Sequence, residues 1–169
     1  MKPLIFAVLL LGLSACYNKD FNEPGRIDID KKPTERVIKS GYTRVWAATQ
    51  KIFNRFPIDR TDSDDLSMRA FIVTDLVKGK SDVLYHGFDS NRVPYQIRYK
   101  LYVYVIGEKS GNAKVTIKNV EQYRDDVVTA GVDVDGSVFS WIRTDSSTLK
   151  ESKLLDQIQK MATDPKFEP

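Results

Sequence analysis

The chain has 169 residues, of which 41% are hydrophobic and 29% charged, and its formal net charge is +3. That length suits one folded domain, and the composition excludes wholesale disorder and collagen-like structure. A single Cys and a single His exclude an intramolecular disulfide, a Cys-rich zinc module and a His-dominated metal site, while 26 Lys+Arg against 23 Asp+Glu argues poorly for nucleic-acid binding.

The chain opens with an export pattern. Lys2 supplies a positive start, and residues 4–13 form an uncharged apolar run. Ten helical residues reach about 15 Å, too short for a hydrocarbon core of about 30 Å. Small residues follow, so residues 1–15 read as a signal that is removed. The only Cys comes next. Leu13-Ser14-Ala15-Cys16 resembles the bacterial lipobox. The resemblance implies diacylglycerol on the Cys16 thiol, cleavage before it, and acylation of the new amine, giving a palmitate-type anchor. Stable anchoring takes two or more chains, each buried CH₂ contributing about 0.8 kcal/mol. The alternative is an ordinary secretory signal with a leftover thiol, which would be a liability in an oxidising compartment. Tyr17 stands where an Asp would favour inner-membrane retention in enterobacterial lipoproteins. The expected location is the outer membrane, with the body facing the periplasm.

Residues 16–39 read as the lipidated Cys and a flexible tether. They carry Pro24, Gly25, Pro33 and many charges, without a sustained apolar period. Such a tether has a typical end-to-end distance of roughly 25–30 Å and a full stretch of about 80 Å. The folded domain is expected over residues 40–163, with a tail at 164–169.

Within the domain, Val45, Trp46, Ala48, Thr49, Ile52, Phe53 and Phe56 recur at helical spacing over residues 42–56, with Ser40 as N-cap and Pro57 as stop. Residues 58–61 read as a short strand and Asp62-Ser63-Asp64-Asp65 as a turn. Residues 68–77 are rich in β-formers, and residues 82–88 suit a strand or a loop. The clearest strand spans residues 95–106. There Tyr95, Ile97, Tyr99, Leu101, Val103 and Val105 alternate with Gln96, Arg98, Lys100, Tyr102 and Tyr104. Lys109-Ser110-Gly111-Asn112 is a hairpin turn, and residues 114–123 return with Val115 and Ile117 on one side; Asn119, Glu121 and Tyr123 are candidates for the same side, but Val120 interrupts the alternation and leaves the face beyond Asn119 open. Residues 125–144 read as a loop. Residues 145–161 read as a helix with the capping-box pair Thr148 and Glu151, and with Leu149, Leu155, Ile158, Met161 and Ala162 as its stripe. Neither helix can bury its stripe alone, so the expected fold is α+β: a two-layer sandwich, with an antiparallel sheet packed by an N-terminal and a C-terminal helix.

These segments carry a family resemblance. Tyr42-x-x-Val45-Trp46 leads through Ile52 to Phe56-Pro57-Ile58-Asp59-x-x-Asp62 and then to Ala70-Phe71-Ile72-Val73-Thr74-Asp75. With the Tyr95–Leu101 strand and the final Leu-rich helix, residues 42–162 resemble the helix-grip domain of BamC/NlpB lipoproteins. The resemblance implies a single helix-grip domain and a non-catalytic accessory role in outer-membrane β-barrel assembly. Those proteins have two such domains and a longer tail, so no partner-contact residues carry over.

Catalytic motifs are not found. His86, in Tyr85-His86-Gly87, has no neighbouring nucleophile motif and reads as a surface or loop histidine. Asp133-Val134-Asp135-Gly136 fails the calcium-loop pattern, since Gly131 and Ile142 stand at its first and twelfth positions. Asp125-Asp126 does not give the cross-cleft separation of a glycosidase. No catalytic residue, metal site or cofactor is expected. Tyrosines with Arg98 and Lys100 make a stacking pattern suited to nucleic acid, but export argues against that ligand. Arg98, Lys100, Tyr102 and Tyr104 are instead the candidate contacts for envelope proteins. Two other expectations stand beside this one: a lipid or other apolar ligand held between sheet and helix, and an enzyme with an unrecognised carboxylate site. Cys16→Ser is expected to abolish incorporation of labelled palmitate and to release the chain from the membrane fraction. Unchanged labelling and distribution would end the anchor reading.

Overall fold

The computed structural model describes residues 24–87, 89–126 and 139–169. The signal segment, Cys16 and Asp133-Val134-Asp135-Gly136 lie outside the described residues. The fold is α+β: an eight-stranded antiparallel sheet with two helices packed on one face, a helix-grip-like two-layer sandwich. In chain order the elements are β1 Gly25–Arg26, β2 Glu35–Ile38, α1 Tyr42–Phe53, β3 Ile58–Asp64, β4 Arg69–Thr74, β5 Val77–His86, β6 Val93–Gly107, β7 Ala113–Asp126, β8 Phe139–Thr144 and α2 Leu149–Thr163.

A long hairpin forms the spine. β6 and β7 pair from Ile97↔Tyr123 to Gly107↔Ala113. Their turn is closed by Glu108 N–H donating to the Asn112 carbonyl at 2.9 Å, with Gly111 at φ +82°. Only glycine adopts that backbone angle without cost. Each outer edge of the hairpin carries two shorter strands end to end. On β6, β5 takes residues 93–99 and β4 takes residues 102–106. On β7, β2 takes residues 113–116 and β8 takes residues 121–126. β1 extends β5, and β3 extends β4.

Alternation then sorts the side chains. Ile97, Leu101, Val103 and Val105 of β6, with Ala113, Val115 and Ile117 of β7, are at most 1% exposed under the helices. α1 contributes Val45, Ala48, Ile52 and Phe53, and α2 contributes Leu154, Leu155, Ile158 and Ala162. Stripes at three- and four-residue spacing put these residues on one helical face, and a sheet with one apolar face is what they can cover. The helices run antiparallel. Arg44 Nε bonds the Ala162 carbonyl at one end, and Arg55 bonds Gln157 Oε1 at the other. None of the described helices is long and apolar enough to cross a membrane.

Several local expectations need correction. α1 ends at Phe53 rather than at Pro57, although Phe56 still stacks on Phe53 with centroids 5.1 Å apart. Ser40 is not the cap. Gly41 holds that place, and the Ser40 hydroxyl donates instead to the Ala162 carbonyl. Thr148 caps α2 by position, but its side chain makes no capping bond. Its Oγ1 accepts from Lys32 N–H at 2.6 Å, and its φ is +62°, uncommon for a β-branched residue. Glu151, the expected capping-box partner, is only 2% exposed and faces inward. The supposed loop at residues 125–144 includes the end of β7 and β8.

Part of the stretch expected as tether belongs to the sheet. β1 pairs with β5, Ile27 N–H donates to the Val83 carbonyl, and Ile29 packs on the Val83, Leu84 and Tyr95 cluster. β2 then lies on β7, with Ile38 fully buried. These pairings join residues far apart in sequence, so residues 25–38 carry no local periodic signal of their strands. From Cys16 to Pro24, the first described residue, eight residues span at most about 28 Å.

Leu155 and Leu101 are fully buried in the layer between α2 and the sheet. Leu155→Ala is expected to cost about 2–5 kcal/mol, read as a lower urea midpoint at unchanged slope. Leu66→Ala, at a site 98% exposed, is expected to leave the midpoint within about 0.5 kcal/mol of the parent.

Candidate functional site

No described helix covers the second face of the sheet, and all four candidate contact residues point to it. The register orders them into rows. Asp62, Phe71, Tyr104 and Thr116 form one row, and Arg60, Val73, Tyr102 and Lys118 form the next. Ile106 lies beyond Tyr104, between Arg69 and Lys114. Tyr104 is 39% exposed and Ile106 43% exposed, while Phe71, Val73 and Tyr102 are half-buried by their neighbours. The result is an apolar strip of five side chains with charged residues at its margins. Beside it, Asp62, Asp64, Arg69, Phe71, Tyr104 and Ile106 line a shallow depression of about 420 Å³. Asp64 shapes its rim: it accepts from Leu66 N–H at 3.0 Å and from the Ser67 hydroxyl at 2.7 Å. This is the turn expected at residues 62–65, displaced toward its C-terminal end.

Arg98 and Lys100 share the face but are tied to the protein itself. Arg98 Nε donates to Gln122 Oε1 at 2.6 Å, and its guanidinium lies 4.5 Å from the Trp141 ring centroid. Lys100 Nζ meets Asp59 Oδ2 at 2.7 Å. That bond holds the Asp59 carboxyl below its ordinary pKa and raises that of Lys100. Of the four candidates, Tyr102 and Tyr104 are therefore the ones not engaged in such a bond. Tyr95 and Tyr99 point to the opposite face, so the tyrosines do not form one stacking platform.

The sequence reading missed a second polar assembly beneath the start of α2. Asn119 and Glu121 sit on the inner face of β7, where apolar residues precede them. Asn119 Nδ2 donates to Glu121 Oε2 at 3.3 Å and to Ser146 Oγ at 3.2 Å. Lys150 bridges Asp82 at 2.6 Å and Glu121 at 3.8 Å. Glu121 and Glu151 are each 2% exposed, and Glu151 Oε2 and Asn119 Oδ1 have no hydrogen-bond partner among the described residues. Burial pushes the Glu121 carboxyl above its ordinary pKa. Lys150 and Asn119 oppose the shift, while Asp82 and Glu151 add to it. Carrying the two-residue period through Val120 was the available sign, and it puts Asn119 and Glu121 on the face of Val115 and Ile117. This assembly is covered by α2 and is not open in the manner of the strip.

His86 is exposed at the end of β5 and stacks on Tyr95, with ring centroids 3.6 Å apart. Between the layers, where an apolar ligand was a second expectation, Phe53, Leu101, Ile117, Leu155 and Ile158 fill the space as fully buried side chains. No protein-family model matches the chain, and no curated protein shows significant similarity to it.

The raised pKa of Glu121 has a definite sign in stability. The folded state holds that proton to higher pH than the unfolded chain does, so its contribution is complete below the ordinary value of 4.5 and is lost as pH rises through the elevated one. Glu121→Gln is expected to flatten this part of the stability-against-pH curve and to leave the variant relatively more stable near neutrality. Urea titrations between pH 4 and pH 8 read it, and an unchanged slope would refute the assignment.

Proposed function

We propose that the chain is a lipid-anchored protein of the bacterial outer membrane that binds another envelope protein from the periplasmic side, without catalysis. The anchor is Cys16, in Leu13-Ser14-Ala15-Cys16. The contact surface is the open sheet face, centred on Tyr104, Tyr102, Phe71, Val73 and Ile106. The observation that carries this reading is the exposed strip itself. Apolar and aromatic side chains stand in rows on a face that no other described element covers. Tyrosine supplies large rigid contact area at low entropic cost and is enriched at binding hot spots.

The resemblance to BamC/NlpB lipoproteins gives the partner class. A subunit of the β-barrel assembly machinery is the first protein to look for. Anchoring supports weak contacts, because confinement at the membrane raises the local concentration of domain and partner. Filled packing between the layers favours this reading over a lipid carried inside the sandwich. His86 stacked on Tyr95 and carboxylates buried beneath α2 likewise favour binding over chemistry.

A photoreactive residue placed at Tyr104 in living cells is expected to crosslink an outer-membrane assembly subunit, whereas the same residue at Lys51 on the helical face is not. The double variant Tyr102→Ser and Tyr104→Ser is expected to weaken that complex by on the order of 30-fold, as for loss of one hot spot of about 2 kcal/mol. Equal crosslinking from both positions, or unchanged affinity in the variant with its fold intact, would refute the proposed surface.

A further inference from the structure

The open face is not uniform. Its Tyr104 end carries both signs of charge, with Asp62, Asp64 and Arg69 beside the strip and Asp59 neutralising Lys100. Its other end is cationic. Lys78, Lys80, Gln96, Arg124, Phe139 and Trp141 surround a shallow depression of about 430 Å³, and none of the described side chains that line it is a carboxylate. Lys78 and Lys80 are exposed, and neither forms an ion pair with a described residue. Arg98 stacks on Trp141 from the neighbouring row, and Arg124 lies 4.4 Å from the centroid of Phe139, which is 46% exposed. Cations set around half-exposed aromatic rings are the composition that settles at a lipid headgroup layer.

The entry point of the chain is a second, independent observation. Gly25 pairs with Tyr85, and Tyr85 pairs with Pro94 at the start of β6. Phe139 pairs with Asp126, three residues beyond the Tyr123 that faces Ile97. The N-terminal strand and the cationic depression therefore share one end of the sheet. The eight residues from Tyr17 to Pro24 limit that end to about 28 Å from the anchor. Tyr104 lies eight residues along β6 from Gln96, roughly 26 Å away.

We propose that this end of the open face docks on the surface of an anionic phospholipid bilayer. Lys78 and Lys80 meet headgroup phosphates, while Phe139 and Trp141 lie at headgroup depth. The inference rests on the anchoring of Cys16. The short leash favours a bilayer over an acidic protein segment, because it presents this end to the membrane continuously. Each lysine near such a surface multiplies docking by about fivefold.

The test uses the full acylated chain on phosphatidylcholine vesicles and on phosphatidylcholine–phosphatidylglycerol vesicles, each containing a headgroup-nitroxide lipid as quencher. The Trp141 signal is the fluorescence lost in Trp141→Phe. The chain is expected to float with both vesicles, with Trp141 quenched only on the anionic ones. Raised salt is expected to relieve that quenching, and Lys78→Gln with Lys80→Gln to reduce the docked-to-undocked ratio roughly twentyfold. A floating chain whose Trp141 is quenched equally on both vesicles, or on neither, overturns the docking proposal and leaves the anchor standing. A chain without acyl mass on Cys16 that fails to float on neutral vesicles refutes the anchor instead. Binding of that unacylated chain to the anionic vesicles in preference to neutral ones would still support the patch, and equal binding would overturn it. Crosslinks from position 78 that reach an acidic protein and no lipid would also overturn it.

Discussion

Strict two-residue alternation along the β6–β7 hairpin is the constraint on which the rest of the structure depends. Fifteen residues of β6 and fourteen of β7 send one set of side chains under the helices and the other set into solvent. A one-residue slip of either strand would exchange the two faces. It would bring Lys100 and Tyr102 beneath α2 and expose Leu101 and Val103. Burial of the inner set fixes the register, and the register places Tyr102, Tyr104 and Phe71 side by side on the outer face. The packing that stabilises the fold thus also composes the surface that can recognise something else.

Inner-face polarity shows where this rule is stretched. Along β7 the inward residues run Ala113, Val115, Ile117, Asn119, Glu121. The last two leave the apolar core and enter the polar assembly beneath α2. A buried carboxylate is tolerated when donors face it, and Asn119 and Lys150 supply them. Glu151 is less well served, with one oxygen unpartnered among the described residues. Nearby, Thr148 holds a positive φ while receiving Lys32 N–H. The start of α2 therefore concentrates two costs, unsatisfied polarity and local backbone strain. The N-terminal segment and Asp82 hold it in place through Lys32 and Lys150.

How much of this was legible in the sequence follows from whether the determining contacts are local. The alternation over residues 95–105 and the stripes of both helices reveal themselves within a dozen residues, so they were readable together with the two-layer fold. Tyr102 and Tyr104 were readable for the same reason. β1 and β2 were not, because strands of two and four residues owe their existence to partners about 60 and 80 positions away. β8 was hidden likewise. Trp141 reaches the open face only because β8 pairs with Arg124 and its neighbours. The pairing of Lys100 with Asp59 spans 41 positions and could not be seen either. Sequence thus showed which residues face outward on the long strand, while topology decided which of them remain available.

That availability divides the open face into parts with different physics. Near Tyr104 the charges are mixed or paired, so long-range attraction is small and shape and apolar contact must discriminate. Near Trp141 the lysines lack described ion-pair partners and no described carboxylate lines the depression, so an anionic surface would be attracted without a demand for detailed fit. An anchor at one end of the sheet would make the second kind of contact frequent and leave the first kind selective. Had the chain entered at the Tyr104 end, membrane and partner would have competed for the same rows. Because β1 pairs with the far end of β5, the order of strands puts the chain's entry beside the cationic part and roughly 26 Å along β6 from the Tyr104 part.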